Sequence, residues 1–306
     1  MVNGSEQLAA FLSAVKDANV ERDVPLAKHC TFRIGGNAAI YAQPKTEEML
    51  LCIVRACKSA GVPMFFLGNG SNVLFSDAGF FGCVISTADL CKITLQREGT
   101  VFAQSGASLF ALCRFAQRHA LGGLAFAYGI PGTLGGALVM NAGAYGGQIA
   151  DVIESVRAYD TVTDTICTLR GEALEFRYRH SVFSAGRYLI LSAVLSLPAE
   201  NAEEISAKMQ QHLSARREKQ PLEYPSAGSA FKRGDGFFTA ELIDRAGLKG
   251  LRCGDAAVSE KHAGFIVNLG AATAKDVTEL IRKIQAAVRE KFGKEIECEI
   301  CIVKER

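Results

Sequence analysis

Apolar positions recur along this chain in two rhythms, and each change of rhythm marks an element. Residues 46–60 predict a helix: Thr46 can cap its start, Glu47 and Glu48 suit its positive end, and Gly61 stops the last turn. Further helices are expected over 5–19, 108–120 and 201–219, the last a polar one leading into a second unit. The best-signalled helix is 273–292. Thr273 and Asp276 resemble a capping box, Val277, Leu280, Ile281, Ile284 and Val288 make one apolar face, and Gly293 ends it. Short apolar runs predict strands at 64–67, 81–87, 92–96, 100–104, 152–159, 165–170 and 188–197. The final run, 295–303, alternates: Ile296, Cys298, Ile300 and Ile302 share one face, with Glu297, Glu299, Cys301 and Val303 on the other. Burial does not explain two acids on that second face.

One tract breaks both rhythms. Between Arg118 and Asp151 there is no Asp, Glu, Lys or Arg, yet 121–147 holds nine glycines. A membrane-spanning helix needs about 20 largely apolar residues in a row, and Gly129, Pro131, Gly132, Gly135 and Gly136 interrupt one every few positions. The tract reads as backbone that approaches a ligand closely. A second glycine loop, Gly68-Asn69-Gly70-Ser71-Asn72, follows the strand at 64–67. It is not the dinucleotide fingerprint, since Val73 holds the third glycine position and an apolar strand follows, and no Walker A sequence occurs. Alone it reads equally as a tight turn. Its successive N–H groups, Asn69 to Asn72, can form an anion nest, and with GIPGTLGG at 129–136 the two loops predict one large, phosphate-bearing ligand.

Composition narrows the class. A chain of 306 residues predicts two or three domains. Lys plus Arg is 34 against 32 for Asp plus Glu, which offers no electrostatic reason for nucleic acid or an anionic membrane as partner. The first residues lack a basic segment followed by an apolar core, so a cytoplasmic protein is expected. The ten cysteines are scattered through apolar runs and are expected reduced. Cys298 and Cys301 would face opposite sides of their strand, so neither redox nor zinc use is expected of them. The five histidines form no metal-binding spacing, and no metal site is expected.

Several polar residues have ordinary readings by themselves. Arg177 and Arg179 read as the exposed face of a strand, Ser229 as a turn serine, Glu299 as a solvated strand residue, Tyr128 as core, and the run 216–219 as a basic helix end. Taken together, TFRIGG at 31–36, LGNGSNVL at 67–74, YGIPGTLGGALVMNAGAYGG at 128–147, FRYRHSVF at 176–183, PSAGSAFKRG at 225–234, KHAGFIVN at 261–268 and IECEI at 296–300 resemble the UDP-N-acetylenolpyruvoylglucosamine reductases, in order over nearly the whole chain.

That resemblance implies an α+β chain: a FAD-binding unit of the p-cresol methylhydroxylase (PCMH) and vanillyl-alcohol oxidase type over 1–200, in two parts of about 1–75 and 76–200, then a smaller substrate-binding domain over 201–306. It implies non-covalent FAD, NADPH as co-substrate, and a UDP-sugar enolpyruvate as the molecule reduced. The residues carried over are Arg179 as stabiliser of developing charge, Ser229 as proton donor and Glu299 as the catalytic glutamate. Gly68, Asn69, Gly70, Ser71, Asn72, Pro131, Gly132, Thr133, Gly135, Gly136, Asn141 and Gly143 fall to the cofactor, and Tyr128, Arg217, Lys232 and His262 to the substrate. Lys232, three residues after Ser229, could also lower the pKa of that hydroxyl. The longer subgroup carries an inserted tyrosine loop, whereas 197–200 here runs straight into a helix, as in the shorter subgroup. Gly234 and Cys30 depart from the residues usual at their positions. Two competing readings are an oxidase that anchors its flavin through His29 or Cys30, and a nucleotide-binding module without catalysis. Arg179, Ser229 and Glu299 together argue against the second.

Overall fold

The computed structural model describes residues 18–305. The helix expected over 5–19 lies outside the described residues except for its last two positions, which open a strand. The first lobe runs β1 (Ala18–Pro25), β2 (Asn37–Pro44), α1 (Glu47–Ala60), β3 (Met64–Leu67), β4 (Val73–Phe75) and β5 (Phe80–Ser86). Its sheet has the order β1-β2-β5-β3, antiparallel at the first pair and parallel beyond. The α1 signals act as their chemistry requires: Thr46 Oγ1 accepts the Met49 N–H at 3.2 Å and Gly61 takes φ +65°. Leu50, Ile53, Val54 and Cys57 then pack on the sheet.

The second lobe is a five-stranded antiparallel sheet. It comprises β6 (Ile93–Arg97), β7 (Thr100–Gln104), α2 (Leu109–Arg118), α3 (Leu134–Val139), the two-residue strands β8 (Gly143–Ala144) and β9 (Gly147–Gln148), then β10 (Ile153–Asp160), β11 (Thr165–Leu169) and β12 (Tyr188–Ser196). The sheet order is β11-β10-β12-β7-β6, while β8 and β9 pair as a separate hairpin. The glycine tract thus folds as turns, one short helix and that hairpin. Arg177 and Arg179, which by themselves read as the exposed face of a strand, lie in a turn followed by a 3-10 helix at Val182–Ala185. The reason is local: Arg177 and His180 bond each other's backbones at 3.0 and 3.2 Å, closing the chain over Tyr178 and Arg179.

Past residues 197–201 come α4 (Ala202–Lys219), β13 (Ser226–Ser229), α5 (Thr239–Arg245), β14 (Arg252–Cys253), β15 (Ala256–Val258), β16 (Phe265–Asn268), α6 (Ala274–Phe292) and β17 (Cys301–Val303). The polar helix α4 lays Ile205 and Met209 into the second lobe's core. A sheet of order β13-β16-β15-β14 is covered by α6, whose capping box forms reciprocally: the Asp276 N–H reaches Thr273 Oγ1 at 3.1 Å and the Thr273 N–H reaches Asp276 Oδ2 at 2.9 Å. The five apolar residues expected on its face are all buried.

The strand expected over 295–303 is shorter, because its first part and its last part have different neighbours. Cys298 bridges Phe231 of the third lobe, whereas β17 pairs in parallel with β4 of the first. The chain rolls between the two, so Ile302 is exposed although Ile296 and Ile300 are buried. One continuous core, which includes Phe75 and Phe80 together with Ile281 and Ile284, consequently joins the first and third lobes.

Candidate active site

The two glycine loops meet. A Cβ on Gly68 would lie 2.4 Å from Thr133 Oγ1, so only glycine permits this approach. Asn69 Nδ2 donates to the Pro131 carbonyl at 2.7 Å and fastens the contact. Gly70, at φ +60°, packs its α-carbon against the His29 carbonyl. Among the described residues no acceptor is found for the N–H groups of Asn69, Gly70, Ser71 and Asn72, nor for that of Thr133. These donors face a need that an anion meets. The loops line a cavity of about 480 Å³ with Gly68, Asn69, Pro131, Gly132 and Thr133 on its wall and Phe110 at its side. Next to Gly106 of the same wall, Ser105 Oγ is buried with no partner among the described residues. Unpaired donors and a wall with glycine at 68, 106 and 132 fit a pyrophosphate-bearing cofactor.

Other residues expected at the cofactor are already occupied. The Gly135 N–H bonds the Ser105 carbonyl at 2.8 Å and the Gly136 N–H bonds Thr133 Oγ1 at 3.3 Å, so both build α3 and its support. Asn141 is 2% exposed with both ends of its amide bonded within the protein, and Gly143 offers its carbonyl to Arg179.

Arg179 projects from the turn at 177–180 and takes φ +52°, a left-handed conformation that costs a non-glycine residue roughly 1–2 kcal/mol. Its Nε donates to Glu299 Oε1 at 2.5 Å. Arg177, two residues earlier, is exposed. Glu299 is held from both sides: its N–H donates to the Ala230 carbonyl at 2.8 Å, and its carbonyl accepts from Asn72 Nδ2 at 3.1 Å. The first of these bonds sets Glu299 beside the Ser229-Ala230 step, and the second ties it to the glycine loop at 68–72. Burial raises the proton affinity of Glu299 above that of an ordinary glutamate, against the pull of the Arg179 charge. Ser229, at the end of β13, is half-buried, and its hydroxyl makes no hydrogen bond among the described residues. Arg179 and Glu299 thus pair beside the loop 69–72, and Ser229 directly precedes Ala230, whose carbonyl accepts the Glu299 N–H.

The residues expected at the substrate divide. Lys232 bonds Glu297 through Nζ at 3.1 Å, so it acts on that exposed acid, and no contact with Ser229 supports a role on the serine hydroxyl. His262 accepts the Gly264 N–H on Nδ1 at 3.1 Å, and burial lowers its pKa. Tyr128 is buried and stacks on Phe110 at 5.1 Å. Arg217 is exposed; its neighbour Arg216 is the one that turns inward, toward Gly129, with Nε buried and unpartnered among the described residues. Tyr145, stacked on His212 at 4.3 Å, stands next to that guanidinium. In the sequence Arg216 reads only as part of a basic helix end, and neither Tyr145 nor Ser105 is singled out. A serine-glycine doublet between a strand and a capped helix is the signal for Ser105. None distinguishes Arg216 from Arg217.

Comparison with known proteins agrees with this geometry. The family model for the C-terminal domain of UDP-N-acetylenolpyruvoylglucosamine reductase matches residues 220–303, and that for an FAD binding domain matches 38–170. The chain is 44% identical to UDP-N-acetylenolpyruvoylglucosamine reductase of Caldanaerobacter subterraneus subsp. tengcongensis over 95% of its own length and 96% of that protein. The enzyme of the same name from Clostridioides difficile is also 44% identical, over 99% of this chain and all of that one. The crystal structure of UDP-N-acetylenolpyruvylglucosamine reductase from Thermus caldophilus superposes with a TM-score of 0.80 at 36% identity, covering 94% of this chain and 99% of the other. A nest for pyrophosphate, an Arg179–Glu299 pair beside Ser229 and this match over almost the full length lead to one assignment: the chain belongs to the UDP-N-acetylenolpyruvoylglucosamine reductase family.

Proposed function

We propose that this chain reduces UDP-N-acetylglucosamine enolpyruvate to UDP-N-acetylmuramate, with FAD held non-covalently and NADPH as electron source. The reaction serves peptidoglycan precursor synthesis in the cytoplasm, and through it cell-wall growth, cell shape and division. Bound FAD supplies the hydride and is recharged by NADPH. The N–H groups of 69–72 and Thr133 would hold its phosphates, with Pro131 and Gly132 lining the cavity beside them. The FAD unit is taken as 1–200, in parts of about 1–75 and 76–200, and the substrate domain as 201–306, of the shorter subgroup.

The chemistry asked of the protein follows from the substrate. Hydride addition to one carbon of an enol ether builds negative charge on the next carbon and its carboxylate. Arg179 stabilises that charge because a guanidinium is always protonated and offers paired donors to a carboxylate. Glu299 keeps the guanidinium in place through Nε and the Gly143 carbonyl accepts from Nη2, leaving Nη1 to the substrate. Ser229 delivers the proton: its hydroxyl has no competing acceptor, and an enolate carbon is basic enough to take it. The observation that supports this reading is the Arg179–Glu299 ion pair, with the Glu299 N–H bonded to the carbonyl of Ala230, the residue after Ser229.

The oxidase reading is weaker. Burial pushes the Cys30 thiol up, and its Sγ donates to the Ile34 carbonyl at 3.3 Å, so it is a poor attachment point for a flavin. His29 lies against Tyr41, ring centroids 4.2 Å apart and planes tilted by 33°. No helix among the described residues is long and apolar enough to cross a membrane. The test is Ser229→Ala examined in two half-reactions. Reduction of the holoenzyme by NADPH should keep its rate, while re-oxidation by the sugar nucleotide falls about 10²–10⁴-fold. Equal losses in both would make Ser229 structural.

A further inference from the structure

Asn141 sits in the left-handed region at φ +41° and is 2% exposed. Its Nδ2 donates to the Arg177 carbonyl at 3.1 Å and to Gln148 Oε1 at 2.9 Å, and its Oδ1 accepts the Ala150 N–H at 3.1 Å. Gln148 is fixed in turn. Its Nε2 donates to Asp151 Oδ1 at 3.1 Å, its backbone N–H to Asp151 Oδ2 at 3.0 Å, and the residue pairs with Gly143 across the β8–β9 hairpin. At the tip, Tyr145 and Gly146 both have positive φ, as a tight two-residue hairpin requires. From the same hairpin the Gly143 carbonyl receives Arg179 Nη2 at 3.4 Å. One platform thus touches the arginine turn twice, at the Arg177 carbonyl and at the Arg179 guanidinium.

We propose that Asn141 is a positioning residue for Arg179, acting through the Arg177 carbonyl, and takes no part in holding the flavin. The proposal rests on the reading of Arg179 as stabiliser of developing charge. The turn needs an external hold because Arg179 occupies a left-handed conformation that a non-glycine residue leaves when free to do so. Asn141 supplies it: the amide has no free polar atom to offer a ligand, and each of its bonds runs to the hairpin, the 3-10 turn at 149–152 or the arginine turn. Without it the Arg177 carbonyl loses a donor and the guanidinium loses its register against Glu299 and Gly143. A displacement of about 1 Å at a group that stabilises charge costs on the order of 10²-fold in rate.

The test follows re-oxidation of NADPH-reduced holoenzyme by UDP-N-acetylglucosamine enolpyruvate in wild type, Asn141→Ala, Arg179→Lys and the double variant. Asn141→Ala should retain flavin, be reduced by NADPH at the wild-type rate and re-oxidise about 10²-fold more slowly. On top of Arg179→Lys it should cost less than about threefold, since both changes act on one group. Loss of flavin from Asn141→Ala, or an undiminished further loss in the double variant, overturns the proposal. If Asn141→Ala does not fold, Gln148→Ala, at an exposed position, enters the same cycle with the same expectation of non-additivity. A wild-type rate for Arg179→Lys overturns the reading of the arginine, and the proposal with it; a slow Arg179→Lys with additive Asn141→Ala overturns the proposal alone.

Discussion

Arg179 Nε and Glu299 Oε1 stand 2.5 Å apart across 120 residues of chain, joining a turn of the second lobe to the end of the third. The pair is mostly buried, with side-chain exposures of 21% and 12%. Arg179→Lys should keep the fold and the flavin but lose most of kcat as well as kcat/KM, because an ammonium lacks the planar paired donors. Arg177→Lys should cost little, its side chain being exposed and its structural bonds made by the backbone. Steady-state kinetics on both variants checks this; the reverse ranking would misplace the catalytic arginine by two residues.

The Glu299 carboxyl titrates above an ordinary glutamate because burial penalises its charge. A raised folded-state pKa favours the fold below the unfolded value, and that advantage disappears as pH rises through the folded one. Glu299→Gln, neutral throughout, should therefore gain thermal stability relative to wild type as pH rises from about 4.3, the unfolded value, toward neutrality. Melting temperatures across that window decide it; a difference independent of pH would mean the carboxyl titrates alike folded and unfolded.

Gly68 tests the contact between the glycine loops. Gly68→Ala places a methyl 2.4 Å from Thr133 Oγ1 and should give protein with little flavin, whereas Gly132→Ala, whose nearest neighbour is 3.6 Å away, should be well tolerated by the free protein. Absorbance at the flavin band against protein concentration gives the comparison. Flavin retention by Gly68→Ala would remove the contact from the cofactor site's requirements.

Away from the site, Arg187 grips Asp160 with Nε and Nη2 at 3.1 and 2.6 Å. That side-chain bond is the chief cause holding the Asp160 carboxyl far below its usual range. A depressed pKa stabilises the fold above the unfolded value, about 3.9, and the contribution is lost as pH falls through the folded one. Asp160→Asn should melt below wild type at neutral pH, with the gap narrowing as pH falls below about 4. A gap of constant size would trace the loss to packing.

Much of this protein is legible in its sequence wherever the cause is local. Thr46 with Gly61, and Thr273 with Asp276 and Gly293, mark their helices because caps act within one turn of the residue that supplies them. The glycine loops announce themselves because a missing Cβ is visible in any sequence. Function was legible through ordered motifs. Choices between neighbours were not legible from spacing: motif resemblance selects Arg179 and Glu299, and nothing in the sequence selects Arg216. Arg179 over Arg177, Glu299 over Glu297 and Arg216 over Arg217 differ only in direction, and direction is set by contacts with distant chain: Gly143, Ala230 and Gly129. The run 295–303 alternates cleanly, yet it exchanges one partner for another midway and turns as it does so. Periodicity records spacing along one chain, whereas burial and hydrogen bonding depend on what lies opposite, and only the tertiary structure supplies that.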